Sequence, residues 1–486
     1  MPGVVINTAV RTGPNTPSTV EAAQAFFVGI ADRGPTAAAT LVKNIEEFAL
    51  LYGPYSSSAY LQPTVETFFE EGGTQCYVAR VTGTSAASST LNIENATPAT
   101  AIIITANGHG VWGDDLAVTV TAGTLSGTIN ISFTYNGTKI GNTGNCATNL
   151  IAIGKINSDA TLSKYVIASS GVGVDTIAAA VEATSLASGA AGSTPSNAQL
   201  VTGLALFSDS FGTGAVACPE SSHADVYTGL VDHANDFNRI AILHGGSSDS
   251  IATTKTLGQT MSALDDAEHA ALYYPWVYVP SAVAGVNNLT PPDGYVAAKR
   301  SAVVNTTGTH QPYAGLPSVA QWVNGVVTDV SKANGDLLDD ERVNAIRVIA
   351  NTVRIYGARS LSTDDSNYRF ITSQDTVNDV VTQGYRTLED ILFHTIDGRN
   401  HSFANIEARL IAVLEGFRIK GALYEAFNTN GVRLDYGYTV KCDNSLNPVA
   451  QLATGLVKAR IGVRVSSIGD KIEVNIIKSN LTTSVV

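Results

Sequence analysis

The sequence predicts a multidomain α+β protein: an αβ core, an inserted β-sandwich-like domain within it, and a C-terminal αβ domain. Three observations predict this. The chain has 486 residues, enough for two to four domains of roughly 100–200 residues each. Apolar strands alternate with helical periodicities on both sides of a long middle stretch, the pattern of a mostly parallel sheet. That middle stretch, residues 84–200, holds only nine charged residues and is rich in Thr, Ser, Ala, Gly and Asn, so it folds by other rules than its flanks. With 44% hydrophobic and 15% charged residues overall, the chain has ample core material and no sign of global disorder.

Residues 3–10 read as a short strand. The turn stretch Arg11-Thr12-Gly13-Pro14-Asn15-Thr16-Pro17 follows, and its prolines and glycine make the start an arm rather than a core element. A strand over 25–30 comes next, then a helix over 45–52 that stops at Gly53-Pro54. A second helix places Leu61, Val65, Phe68 and Phe69 on one face and ends at Gly72-Gly73, before a strand over 75–81. Within 84–200, residues 116–120 and 129–135 alternate in the strand manner, and Asn136-Gly137 predicts a tight hairpin. The αβ alternation then returns: strand 215–218, helix 223–235, strand 239–243, helix 256–268 and strand 271–279. The last third predicts a helix around 339–345, strands at 346–349 and 353–356, and a helix from Thr376. An amphipathic helix carries Ile406, Leu410, Val413, Leu414 and Phe417, and strands at 460–465 and 471–477 close the chain. The division that follows is an N-terminal arm at 1–24, the N-terminal part of the core at 25–83 and the insert at 84–200. An αβ domain at 201–360 and a C-terminal domain with a terminal strand arm at 361–486 complete it.

The net charge of −13 argues against a nucleic-acid partner, because phosphate binding needs a positive surface. The charge is uneven: residues 401–486 hold ten Lys/Arg against seven Asp/Glu, or +3, which leaves −16 for residues 1–400. A basic C-terminal surface facing an acidic partner is therefore compatible with the sequence. The absence of an apolar run of about 18 residues predicts no membrane insertion. The start, Met1-Pro2-Gly3-Val4-Val5-Ile6-Asn7, lacks the basic and apolar regions of a secretory signal, which predicts assembly in a cytoplasm. Cys76, Cys146, Cys218 and Cys442 lie far apart and read as free thiols.

Motif by motif, chemistry is not indicated, and the expectation is no cofactor, no metal and no catalytic residue. Gly108-His109-Gly110-Val111-Trp112-Gly113 matches the dinucleotide pattern G-x-G-x-x-G, but a strand follows where that site needs a helix N-terminus, so a turn is expected. The nearest approaches to a nucleophilic site are His244-Gly245-Gly246-Ser247 and Gly308-Thr309-His310, and neither sits in a nucleophile-elbow pattern. No H-E-x-x-H, calcium loop or clustered His/Cys/Asp set occurs.

Several stretches resemble the contractile tail sheath family. Pro2-Gly3-Val4-Val5-Ile6-Asn7 resembles its N-terminal arm, and Phe27-Val28-Gly29-Ile30-Ala31-Asp32-Arg33-Gly34-Pro35 its "FVGIAERGP" segment. Glu46-Glu47-Phe48, Tyr52-Gly53, Phe68-Phe69-Glu70-Glu71-Gly72-Gly73 and Cys76-Tyr77-Val78-Ala79-Arg80-Val81 follow in the family's order. Gly113-Asp114-Asp115-Leu116, Pro291-Pro292-Asp293-Gly294-Tyr295-Val296-Ala297 and Val353-Arg354-Ile355-Tyr356-Gly357-Ala358-Arg359-Ser360-Leu361 continue the series. Gly421-Ala422-Leu423, Val440-Lys441-Cys442-Asp443 and Ile461-Gly462-Val463 extend it into the C-terminal domain. Leu392-Phe393-His394-Thr395-Ile396-Asp397 departs from the family's "F-E-P-N".

The resemblance implies a structural subunit of a virion tail sheath, assembled in a bacterial cytoplasm as stacked hexameric rings in a helical polymer. Its partners would be other copies of itself, an inner tail tube protein, and baseplate and tail terminator proteins. It implies a subtilisin-like but non-catalytic αβ domain. It makes Val4, Val5 and Ile6, with Ile472, Val474 and Ile476, inter-subunit strands. Together with the +3 balance, it points Arg409, Arg418 and Lys420 toward the tube. Two rival readings are a serine hydrolase on the αβ domain and a carbohydrate-binding surface protein using the β domain.

Overall fold

The computed structural model describes residues 21–54, 59–281, 285–396 and 398–471. The expected inter-subunit strand residues Val4, Val5, Ile6, Ile472, Val474 and Ile476 lie outside the described residues, as does nearly all of the expected strand at 471–477.

The first part of the chain contributes β1 (Ala25–Gly29), β2 (Thr40–Val42), α1 (Ile45–Tyr52), α2 (Leu61–Glu70) and β3 (Cys76–Arg80). Asn44 caps α1 by accepting the Glu47 amide, which satisfies one of the donors every helix start leaves unpaired. Leu61, Val65 and Phe68 of α2 are buried, the stripe that their i, i+4, i+7 spacing predicts.

The insert builds β4 (Thr90–Glu94), β5 (Thr100–Ala106), β6 (Leu116–Ala122), β7 (Ile129–Tyr135), β8 (Thr138–Asn142), α3 (Asn149–Ser158), α4 (Leu162–Tyr165), β9 (Val166–Ser170) and β10 (Val181–Ser185). Two antiparallel sheets, β10-β6-β7-β8 and β4-β5-β9, share one apolar core that includes Ile102, Ile104, Val118, Ile131 and Phe133. At the β7–β8 turn Asn136 and Gly137 have φ of 48° and 73°, the left-handed pair that the tightest hairpin requires. Helix α3, capped by Thr148, packs against β9 and β5 in the same core; the low-charge strand reading of this stretch contains no signal for it. The insert begins and ends at one point: Thr84 and Ser193 exchange hydrogen bonds.

The chain returns through α5 (Asn197–Leu204), β11 (Gly214–Ala217), α6 (Ala224–Asp236), β12 (Arg239–His244), α7 (Ile251–Met261), β13 (Ala270–Tyr274), β14 (Val277–Pro280), β15 (Asn287–Thr290), α8 (Asp293–Thr306), β16 (Gly325–Val326), α9 (Lys332–Asp340), β17 (Val343–Ile349) and β18 (Thr352–Tyr356). Among the described residues, eight strands form the main sheet in the order β18-β17-β13-β12-β11-β1-β3-β2, parallel from β17 through β3, with β18 and β2 antiparallel at the edges. Successive strand residues feed opposite faces: Phe27, Ile240, Ile242 and Tyr273 pack under α1, α2 and α8, while Phe26, Ala241, Leu243 and Leu272 pack under α5, α6 and α7. Burial on both faces is why these strands read as continuous apolar runs. The C-terminal part holds α10 (Ile371–Glu389), α11 (His401–Ile419), β19 (Ala426–Phe427), β20 (Arg433–Asp435), β21 (Tyr438–Lys441), α12 (Val449–Leu452) and β22 (Arg460–Val463).

Five local expectations are corrected. The helix expected at 256–268 is α7, which starts five residues earlier because Ser250 caps it by accepting the Thr253 amide. The strand expected over 271–279 is two strands in different sheets, β13 and β14, separated at Pro275, which has no N–H to continue a ladder. The helix expected near 339–345 is α9, capped by Ser331 and over by Glu341; Arg342 then turns left-handed (φ 61°) and β17 begins. Helix α10 starts at Ile371, more than a turn before Thr376. The expected boundary at 200 falls inside α5, whose Leu200 and Leu204 are buried with the main sheet.

Two arginines join the insert to the core. Arg80 donates to the carbonyls of Ala31, Gly34 and Asp32, and also to that of His109 in the insert's glycine turn. Arg33, 7% exposed, donates to Ala49 O and Leu50 O at the end of α1. Its guanidinium lies 5.0, 5.2 and 6.0 Å from the rings of the insert's Tyr135, Tyr165 and Trp112.

Candidate functional site

In a doubly wound sheet the usual ligand crevice lies at the carboxyl ends of the strands, where strand order reverses. Here that point is between β1 and β11. The chain's own Glu220 fills it: the carboxylate accepts the amides of Ile30 (3.3 Å), Tyr60 (3.0 Å) and Leu61 (2.9 Å). A carboxylate against the first amides of α2 occupies the place an anionic ligand would take at a helix N-terminus. Burial raises the Glu220 carboxyl above its ordinary range, an effect opposed by these backbone bonds. A Cβ on Gly29 would sit 3.1 Å from the Glu220 oxygen, so that position has no room for a side chain unless Glu220 shifts.

One strand along, His244 at the end of β12 holds Asp293 at 2.9 Å, with the two side chains 1% and 0% exposed. Its backbone carbonyl accepts the Tyr227 hydroxyl, and its ring packs edge-on against Trp276. The other ring nitrogen, the one a nucleophile would use, has no hydrogen-bond partner among the described residues, and Ser247 is exposed to solvent. A buried His–Asp pair is thus present, and among the described residues no hydroxyl or thiol is hydrogen-bonded to that ring nitrogen. His310 lies apart from it, hydrogen-bonded to the backbone of Lys420, and burial holds its pKa below the ordinary value. A groove of about 510 Å³, between the loops before β11 and β12 and helix α10, includes Asp209, Asp236, Tyr385 and Glu389 and touches neither histidine. Among the described residues no group of His, Cys, Asp and Glu could hold a metal ion, and no helix is long and apolar enough to cross a membrane. The glycine motif at 108–113 is a bend running into a 3-10 helix at Val111–Asp115: Gly108 and Gly110 have φ of 122° and 130°, and a Cβ on Gly108 would come within 1.9 Å of Gly34 O. Its glycines permit close packing of insert on core.

The sequence-predicted basic residues have partners within the chain. Arg409 donates to Thr387 O and lies 3.5 Å from Asp390. Arg418 is held by Glu415 (2.7 Å) and Glu425 (2.8 Å). Lys420, exposed at the end of α11, lies within electrostatic reach of Asp379. The three do not form one patch. At about 100° per residue, Arg409 and Arg418 project from opposite sides of α11, and Lys420 lies on the Arg409 side.

The C-terminal sheets show the feature that sequence reading missed. Among the described residues, β19–β20 and β21–β22 are two short two-stranded ribbons, linked where Leu423 bridges Val465. Isolated two-stranded ribbons are marginal in water. These carry exposed apolar side chains, among them Leu434 (67% exposed), Phe427 (54%), Val432 and Tyr424. A small core of Val380, Leu414, Phe417, Ala422 and Leu423 ties this part together, and the ribbons are joined to each other by the Leu423–Val465 bridge, the Tyr424 N–H donated to Arg464 O and the Arg464–Asp435 ion pair. Among the described residues this part has open strand edges and uncovered apolar surface at once.

No protein-family model matches the chain, and no curated protein matches it in sequence. Solved structures do. A sheath tail protein from Listeria innocua superposes with a TM-score of 0.60 at 13% identity, over 87% of this chain and 89% of that one. One from Desulfitobacterium hafniense gives 0.56 at 13% identity, over 91% and 94%. The chain has the sheath-protein fold. The PVC sheath complex of an extracellular contractile injection system, in its contracted state, extends this likeness to 99% of this chain and 98% of that one, with a TM-score of 0.56 at 13% identity. The sheath fold thus covers the main sheet, the insert and the ribbon region together.

Proposed function

We propose that this chain is the structural subunit of a contractile sheath, polymerising as stacked hexameric rings around an inner tube and contracting to drive that tube through a target envelope. The carrying observation is the pair of C-terminal ribbons whose strand edges are open among the described residues, in a chain 99% of which is covered by the match to a sheath structure. A ribbon with open edges and exposed apolar side chains gains backbone bonds and burial when a foreign strand adds to it. The segments around Val4-Val5-Ile6 and Ile472, Val474 and Ile476 have the apolar character to serve as those strands. Each added backbone hydrogen bond contributes on the order of 1 kcal/mol. Head-to-tail exchange of this kind builds open lattices rather than closed dimers.

In this reading residues 25–83 and 201–360 form a subtilisin-like αβ body without catalysis, the insert is peripheral, and residues 361–486 form the lattice domain. The arm at 1–24 would link neighbours. On the tube side we place Arg409 and Lys420, which share one side of α11, with Arg418 serving inside the domain. Baseplate and terminator proteins would cap the polymer, in a particle assembled in a bacterial cytoplasm. Deleting residues 1–12 tests the proposal: the truncated subunit should fold, stay soluble and fail to polymerise. Normal-length sheaths from that truncation would remove the arm from the mechanism.

A further inference from the structure

Helix α8 is buried almost all round and carries two adjacent cations, Lys299 and Arg300, each with its own carboxylate. Lys299 meets Glu71 at the end of α2 at 2.6 Å, and Glu71 also accepts the amides of Gln321, Trp322 and Val323. That network lies within the αβ body. Arg300 points elsewhere. Its Nε and Nη2 form a two-pronged pair with Asp375 of α10, at 2.9 and 2.6 Å, and its remaining Nη1 donates to Ala22 O at 2.6 Å. Ala22 and Ala23 also pack on Val304 of α8, so the chain just ahead of β1 is held on this helix by one charge and one small apolar contact. A single guanidinium thus joins three parts that are far apart in sequence: residue 22, α8 and α10.

We propose that Arg300 is a positioning residue that couples the root of the N-terminal arm to α10, so that load on the arm passes to the C-terminal domain. The planar fork suits this task, since it serves the carboxylate bidentately and still has a donor for the backbone. The mechanical consequence rests on the sheath reading; the coupling itself does not, and it is measurable in the free subunit.

The test is hydrogen exchange of the full-length subunit, read in residues 21–26. Asp375→Asn, which does not touch residue 22, weakens the grip on Arg300 and should speed exchange there about tenfold, the scale of one hydrogen bond. Lys299→Met, on the same helix but in the other network, should leave that segment within about twofold of wild type. If single variants fail to fold, Arg300→Met with Asp375→Leu removes both buried charges together, a change that buried pairs often tolerate, and it should also speed exchange at 21–26. Unchanged exchange in the folded Asp375→Asn or double variant overturns the coupling, as does an equal effect of Lys299→Met. In assembly, the folded double variant should give single rings or short stacks where wild type gives long sheaths; long sheaths that stay linked on contraction overturn the load-bearing role. A wild-type chain that never polymerises while residues 21–26 still loosen would refute the sheath reading and leave the coupling standing.

Discussion

Replacing Arg33 with alanine removes the pin between core and insert, and the structure sets the size of the effect. Three aromatic rings from the insert lie within 6.0 Å of the guanidinium, and two carbonyls at the end of α1 accept from it at 2.9 and 3.0 Å. Desolvated cation–π contacts contribute up to about 2 kcal/mol, and a hydrogen bond to a charged group about 1.5–3 kcal/mol. Against these stands the cost of burying the charge. Among the described residues Nε and Nη1 have no hydrogen-bond partner, so that cost is only partly offset. The net expectation is a loss of about 2–3 kcal/mol, less than the sum of the parts. Arg33→Lys should lose more than half as much, because an ammonium cannot stack flat and donate in a fork together. Urea unfolding of the free subunit measures both, and limited proteolysis between residues 82 and 90 reports whether the joint opens. A change below about 0.5 kcal/mol for Arg33→Ala, with proteolysis unaltered, would refute the pin, since surface substitutions typically fall within that range.

Three further outcomes follow from the geometry. His233 is buried with its Nε2 2.6 Å from Arg239, and burial, then the arginine's charge, lowers its pKa to about 3. The unfolded chain therefore binds a proton below about pH 6.5 that the folded chain refuses, so stability is lost as pH falls from 6.5 toward 3. At pH 5 the loss should be about 2 kcal/mol relative to pH 8, and His233→Gln should flatten that part of the profile in thermal melts; a parallel profile contradicts the assignment. Because Thr84 and Ser193 meet, replacing the residues between them with a short linker should leave a folded, assembly-competent subunit, provided Arg33 is also changed to a small polar residue; a folded but unassembled product would place the insert in the lattice. Charge reversal at Arg409 and Lys420 should shift assembly toward empty, contracted-like sheaths without unfolding. Arg418→Glu, which sets like charges against Glu415 and Glu425, should loosen the domain itself. Tube-filled sheaths from the Arg409/Lys420 variant at wild-type yield, across salt concentrations, would contradict the tube contact.

Much of the fold was legible because its signals are local. The stripe on α2, the apolar runs of β1, β11 and β12, and Asn136-Gly137 at the β7–β8 turn each determine their own element within a few residues. Caps outranked periodicity where the two disagreed: Ser250 and Ser331 start α7 and α9 ahead of the apolar pattern used to place them. Helix α3 stayed hidden because its face is diluted by Asn, Gly and Ser in a stretch whose composition reads as strand. The residues that organise the molecule were illegible for a different reason. Glu220 reaches Ile30 across 190 positions and Arg300 reaches Ala22 across 278, distances over which no periodicity extends. A charge balance along residues 401–486 likewise cannot see that Arg418 is spent on Glu415 and Glu425. The i, i+3 spacing of Glu415 and Arg418 was the signal that could have warned of it.

Electron microscopy of the purified full-length chain tests the central claim most directly. The account predicts self-assembly into striated tubes of stacked six-fold rings with a hollow wide enough for an inner tube. Dispersed globular particles at all concentrations, from a chain shown to be folded and intact at both ends, would contradict it.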